Sequence, residues 1–153
     1  MRYAYLAIPA LFALIVWSFL RPEPPPAWLH QEYGPRHVLH TTDTTIRIGL
    51  GVVCEAQSYT IGIVTAEAIK SRKQQLKAQY QFDDGAWLNT VIGVDNPTLL
   101  HFSEVSGPFL QDLLTHQVLR LRVGKAEVPY EFGLVGLREY GAVIRTACGE
   151  ESK

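Results

Sequence analysis

The stretch TIRIGLGVVC, residues 45–54, decides the fold of this chain. Apolar side chains occupy every second position: Ile46, Ile48, Leu50, Val52 and Cys54. Because neighbouring side chains of a β-strand point to opposite faces, this period of two predicts a strand with one buried face. Comparable segments follow along the chain and predict further strands at 58–64, 76–82, 87–94, 99–102, 118–123 and 127–132.

Turn signals join these segments into hairpins. Asp83-Asp84-Gly85 separates two amphipathic segments, and Asn96-Pro97 and Gly124-Lys125 separate two further pairs. Such residues favour tight turns because they accept or impose the backbone angles that a turn needs. Strands joined in this way predict a sheet that is mainly antiparallel.

The hairpin around Gly124-Lys125 carries charged side chains along one side. Arg120 and Arg122 are expected to face Glu127 and Glu131 across its outer surface, where they keep the sheet solvated. Val128 falls on the other side of the same alternation and is expected to point inward.

Two segments have helical periodicity instead. Ser106-Gly107-Pro108 is a helix start that precedes an apolar stripe in residues 109–114, and residues 137–148 have apolar positions at helical spacing before Gly149. Residues 66–75 are expected to form a loop or one to two helical turns. The sequence therefore predicts an α+β domain, a mainly antiparallel β-sheet with two short helices.

The first twenty residues predict an N-terminal transmembrane helix or signal anchor. Their apolar run has about eighteen positions, close to the minimum for a helix that crosses a bilayer. Arg2 precedes this run, which favours a cytoplasmic N-terminus and a C-terminal domain in the periplasm. A cleaved signal peptide is the alternative, although small residues are scarce where its cleavage site would lie. The residues assigned to the anchor are Tyr3, Leu11, Phe12 and Leu20.

Residues 21–35 are predicted to be a proline-rich linker, and residues 36–150 the β-rich extracytoplasmic domain. The prolines between Pro22 and Pro26 cannot continue a helix and favour extended backbone, so this segment would hold the domain away from the membrane. Trp28 and Tyr33, which follow the prolines, are expected at the membrane interface.

Cys54 and Cys148 are the two cysteines of the chain. In an exported domain paired cysteines oxidise, and two cysteines allow one connectivity, so a disulfide is expected. Two buried free thiols are the alternative, and they would be favoured if the domain faced the cytosol.

Composition and motifs argue against several classes of function. The net charge is −1 and no long basic run occurs, so nucleic acid is not an expected partner. The five histidines are scattered, and His37 and His40 would point to opposite faces of a strand, so neither a metal site nor a cofactor is expected. The chain has no GxSxG, HExxH or phosphate-binding glycine motif, and no catalytic residue is assigned.

Asp83, Asp84 and Trp87 are the candidate partner-binding residues. Adjacent acids before Gly85 favour a turn over a catalytic carboxylate pair. Trp87, beside this turn, is the candidate exposed anchor for a partner, and a core tryptophan is the alternative.

Four short segments occur in a distinctive order along most of the domain. They are LGVVC at 50–54, YQFD at 80–83, FL at 109–110 before LRLRV at 119–123, and FGLVGL at 132–137 leading to AC at 147–148. This order resembles the periplasmic accessory proteins of type VI secretion clusters of the TagO or VasI type, and related uncharacterised exported domains. The resemblance implies the same fold, a disulfide, and a role in a secretion assembly.

These observations together favour a non-enzymatic, membrane-anchored periplasmic accessory protein that acts through protein contacts in an envelope assembly such as a secretion system. An immunity or superinfection-exclusion protein is an alternative, and it would bind one incoming effector through a charged or aromatic patch. An envelope hydrolase is a further alternative, and it would need an acid and a base that converge in a pocket.

Overall fold

The computed structural model describes residues 27–44, 47–69, 71–104 and 108–149, and of Glu104 the backbone alone. Nine strands form one sheet: β1 (Leu29–Tyr33), β2 (Arg36–Thr42), β3 (Ile48–Glu55), β4 (Ser58–Thr65), β5 (Gln75–Phe82), β6 (Leu88–Asn96), β7 (Leu99–Glu104), β8 (Val118–Val123) and β9 (Tyr130–Gly133). The described helices are α1 (Phe109–Thr115), a 3₁₀ helix (Val135–Tyr140) and α2 (Gly141–Cys148). The predicted domain, a mainly antiparallel sheet with short helices, is confirmed.

The order of strands across the sheet departs from the order along the chain. It runs β1-β2-β3-β4-β7-β6-β5-β8-β9, and all neighbours are antiparallel. The meander β5-β6-β7 therefore lies in reverse between β4 and β8. The connection from β4 to β5 crosses this meander, and its described residues form no helix.

One face of the sheet carries the core. In β3 the alternating residues Ile48, Leu50, Val52 and Cys54 are all buried, as the period of two predicts. Helix α2 packs on the same face against β2, β3 and β4. Farther along the sheet, Phe109 at the start of α1 is enclosed by aromatic side chains of β5 and β7, which are Tyr80, Phe82 and Phe102.

The sheet curls until its two ends approach each other. Trp28, just before β1, donates from its indole Nε1 to the backbone oxygen of Gly133 at 2.8 Å. After β2, the backbone nitrogen of Thr44 donates to the oxygen of Glu131 at 3.2 Å. These two bonds link the start of the domain to its last strand, which the sequence places about a hundred residues away.

The domain begins earlier than the expected start at Arg36. Strand β1 pairs with β2 from Leu29 to Tyr33, so residues 27–35 belong to the folded domain and the expected linker is wrong there. Trp28 is 4% exposed, so it lies in the core instead of at a membrane interface. The alternation of LHQEY is too weak to predict a strand, and β1 forms because β2 supplies its hydrogen bonds.

The last hairpin also differs from the expectation. Strand β9 is short, and Val128 lies in the preceding loop with 75% of its surface exposed. The inward position expected for Val128 is wrong because strand pairing between β8 and β9 starts only at Leu121 and Tyr130. Alternation predicts a face only where the backbone is extended and paired.

No helix among the described residues is long and apolar enough to span a bilayer. The predicted anchor, with Tyr3, Leu11, Phe12 and Leu20, lies outside the described residues, as do residues 21–26 and the helix start at Ser106. Within the described part, α2 ends directly before Gly149, as the sequence predicts.

Candidate functional site on the outer face of the sheet

The predicted disulfide is present and buried. Cys54 lies near the end of β3 and Cys148 at the end of α2, and their side chains are joined across 94 residues of sequence. Beside this link the backbone nitrogen of Gln57 donates to the oxygen of Ala147 at 3.2 Å. The disulfide therefore clamps the C-terminal helix onto the first half of the sheet.

Asp83 stabilises the turn after β5 and also the start of β8. Its Oδ1 accepts hydrogen bonds from the backbone nitrogens of Gln117 and Val118, both at 2.9 Å. Its backbone has a φ of +48°, a conformation that aspartate tolerates better than most residues. The turn predicted at Asp83-Asp84-Gly85 is thus seen, and the carboxylate of Asp83 is engaged within the fold.

Asp83→Ala is expected to lower the free energy of unfolding by about 2 to 3 kcal/mol, because two backbone donors lose a charged acceptor and alanine is strained at positive φ. Asp84→Ala is the matched control and is expected to leave the urea midpoint unchanged, because the Asp84 side chain is fully exposed. Urea unfolding followed by circular dichroism measures both. Equal midpoints for the two variants would contradict this role of Asp83.

Arg120 connects the acidic turn to β9. Its Nε donates to Glu131 Oε2 at 3.0 Å, its Nη1 lies 3.3 Å from Asp84 Oδ1, and Nη1 also donates to the backbone oxygen of Asp83. The hydrogen bond to Glu131 raises the pKa of the Arg120 guanidinium above its ordinary value, and desolvation by burial acts in the opposite direction. The expected pairing of Arg120 with Glu131 is confirmed.

Arg122 has a different neighbour from the one expected. Its guanidinium carbon lies 4.1 Å from the centre of the Trp87 ring, a cation–π contact. Trp87 is half-buried, and Asn89 is exposed on the same outer face as Arg122, because both lie opposite Gln79. Leu88 pairs with buried Tyr80 and therefore belongs to the inner face of the sheet. We call Trp87, Asn89 and Arg122 the Trp87 surface.

Two further features mark the Trp87 surface. Among buried side-chain nitrogen and oxygen atoms of the described residues, Arg122 Nε has no hydrogen-bond partner. A shallow depression of 570 Å³ lies beside the guanidinium, and its lining includes Lys77, Lys125 and Glu127. The positive side chains outnumber the negative one there, so the depression suits an acidic group.

A second polar constellation crosses strands β6 and β7. His101 Nδ1 lies 2.9 Å from Asp95 Oδ2, and its Nε2 lies 3.3 Å from Ser103 Oγ. Each strand has a bulge here. The bulge in β6 leaves Asp95 without a paired residue on β7, and the bulge in β7 leaves Ser103 without a paired residue on β6. Gly93, directly opposite His101, allows this arrangement because a Cβ there would collide with the imidazole and with Ser103.

Comparisons of the chain with protein-family models, curated proteins and solved structures find no match. The resemblance to the TagO and VasI proteins therefore stays a prediction.

The Asp95, His101 and Ser103 constellation has the hydrogen-bond order of a serine hydrolase triad, and sequence reasoning missed it. Its surroundings differ from those of a triad, however. The side chains of His101 and Asp95 are 34% and 48% exposed, and the adjoining depression is wide and shallow. Nucleophilic catalysis relies on preorganised donors in a site that excludes water. The geometry therefore favours a polar link between the strands over a catalytic centre.

Proposed function

We propose that this chain is a membrane-anchored periplasmic accessory protein that binds an envelope protein partner through the Trp87 surface. The observation that carries the proposal is the Arg122 guanidinium on the Trp87 ring, on the outer face of the sheet. Tryptophan and arginine are the residues that most often dominate the binding energy of protein interfaces. The buried disulfide supports an oxidising compartment, where such bonds persist.

Charge indicates the kind of partner. Arg122, Lys77 and Lys125 line the adjoining depression, which therefore carries an excess of positive charge. A partner that presents a carboxylate beside an apolar side chain would complement both parts of this surface. The acidic turn stays a second candidate contact, because Asp84 is fully exposed and shares Arg120 with Glu131.

The predicted anchor and the resemblance to type VI secretion accessory proteins suggest that the partner belongs to an envelope assembly such as a secretion system. An immunity or exclusion protein would use the same surface against an incoming effector. The identity of the bound protein separates the two roles, because only an immunity protein suppresses the toxicity of a co-expressed effector.

A photo-crosslinking amino acid at Asn89 is expected to yield one discrete adduct in cells, and Arg122→Ala is expected to weaken the underlying binding by about 10- to 30-fold. The measurement is the adduct yield on a blot, with the partner identified by mass spectrometry. A crosslinker at Val135 is the matched control, because Val135 is also exposed but lies on the 3₁₀ helix.

Two results would contradict the proposed surface. One is an adduct at Asn89 whose yield is unchanged by Arg122→Ala. The other is the same adduct from Asn89 and Val135, which would indicate contact without a preferred face.

A further inference from the structure

Three metal-binding side chains meet on the hairpin formed by β1 and β2. His30 and Glu32 alternate along β1 and share a face, and His37 lies directly opposite Glu32 on β2. A two-residue loop brings the strands together, with Gly34 at a φ of +61° that favours glycine at this place in a hairpin turn. The cluster lies on the same face as the core residue Leu39, which pairs with His30.

The distances between the ligand atoms are those of a coordination site. His30 Nε2 lies 3.1 Å from His37 Nδ1 and 3.9 Å from Glu32 Oε1, and His37 Nδ1 lies 3.8 Å from the same oxygen. In the plane of these three atoms, the point equidistant from them is about 2.1 Å from each, which is the length of a bond from zinc to imidazole nitrogen or carboxylate oxygen. A tetrahedral site has its ligand atoms about 3.4 Å apart, so the Glu32 side chain, which is 63% exposed, would move slightly towards the two nitrogens when the ion binds.

We propose that His30, Glu32 and His37 bind a divalent transition-metal ion, for which Zn²⁺ is the best suited. Two imidazoles and one carboxylate are a ligand set that zinc accepts in tetrahedral geometry. Ca²⁺ and Mg²⁺ prefer oxygen ligands and are not expected to bind. Three protein ligands leave a fourth position for water or for a side chain of another protein.

The surroundings hold the two imidazoles in place. Their rings are nearly parallel, 12° apart, and the ring of Tyr140 packs against His30 with 5.5 Å between centres. The side chains of His30 and His37 are 17% and 24% exposed, so both are partly shielded from water. One imidazole nitrogen now donates a hydrogen bond to the other. Metal binding would replace this bond and move that proton to the second nitrogen of the same ring, with no net proton released.

Isothermal titration calorimetry with ZnCl₂ tests the proposal on the full chain, purified in detergent with its disulfide intact. We expect one saturable site, and we expect His30→Ala and His37→Ala each to lower the affinity by at least about 100-fold. Glu32→Gln should lower it by at least about tenfold. His40→Ala is the matched control, because His40 is on the same strand and faces the other side of the sheet, and it should bind as the unaltered chain does.

The visible spectrum of bound Co²⁺ is a second measurement, because it reports the ligand set directly. Absorption of a tetrahedral site that disappears in folded Glu32→Gln would support the assignment. The proposal would be overturned if the unaltered chain showed no saturable Zn²⁺ binding. It would also be overturned if His30→Ala and His37→Ala, each folded by circular dichroism, bound as tightly as His40→Ala.

Discussion

Replacing Cys54 and Cys148 together by alanine is expected to lower the free energy of unfolding by about 4.6 kcal/mol. The disulfide closes a loop of 94 residues, and in the chain-entropy model a loop of this size destabilises the unfolded chain by that amount. The usual total for a domain is about 5 to 15 kcal/mol, so the double variant should unfold at a much lower urea concentration. The measurement is urea unfolding of both proteins by circular dichroism.

Reductant provides the control for this prediction. Dithiothreitol should destabilise the unaltered chain and leave the Cys54→Ala, Cys148→Ala double variant unchanged. If the oxidised chain and the double variant had the same midpoint, the stabilising role would be wrong. In membrane fractions, thiols that react with maleimide only after reduction would support the periplasmic location, and thiols that react at once would argue for the cytosol.

Phe109→Ala is expected to lower the free energy of unfolding by about 3 to 5 kcal/mol, which is the second large effect. Phe109 is fully buried, and its ring centre lies 5.1 Å from that of Tyr80, 5.3 Å from Phe102 and 5.4 Å from Phe82. Truncation would remove apolar contacts and leave a cavity that strands β5 and β7 cannot fill. Thermal and urea unfolding of the variant measure the loss.

Val128→Ala is the matched control for the core variant. Val128 is 75% exposed, so its truncation should change stability by less than about 0.5 kcal/mol. A cost for Phe109→Ala below about 1 kcal/mol would show that α1 does not pack into the aromatic cluster of the sheet.

Most strands were predictable from local sequence. In β3, β5 and β8 the apolar residues recur at every second position because one face is buried and the other solvated. Strand β1 was not predicted because its sequence has no alternation of buried apolar residues. Its large apolar residues, Leu29 and Tyr33, are 55% and 59% exposed. Its backbone is held by pairing with β2 instead of by burial of its own side chains.

The candidate sites were less predictable than the strands. Trp87 and Asp83 were identified from residue type and position, but the contact of Arg122 with Trp87 was not, because it joins residues from β8 and from the turn before β6. The proposed metal site was not predicted from the sequence, because His37 was compared with His40. His30 and Glu32 share one face of β1, but His37 reaches that face only if Gly34-Pro35 forms a hairpin turn. The sequence spacing therefore indicates a cluster only once this turn is recognised.

The sequence by itself determined the mainly antiparallel α+β architecture, the buried faces of β3, β5 and β8, and the one pairing open to Cys54 and Cys148, because periodicity, turn residues and a single pair of cysteines are local or countable properties. The tertiary structure alone decided that β7 lies beside β4, that Trp28 belongs to the core, and that Arg122 contacts Trp87. These features depend on contacts between residues that are distant in sequence. Such contacts form and stabilise the domain only when the whole sheet curls and packs, so no local pattern predicts them.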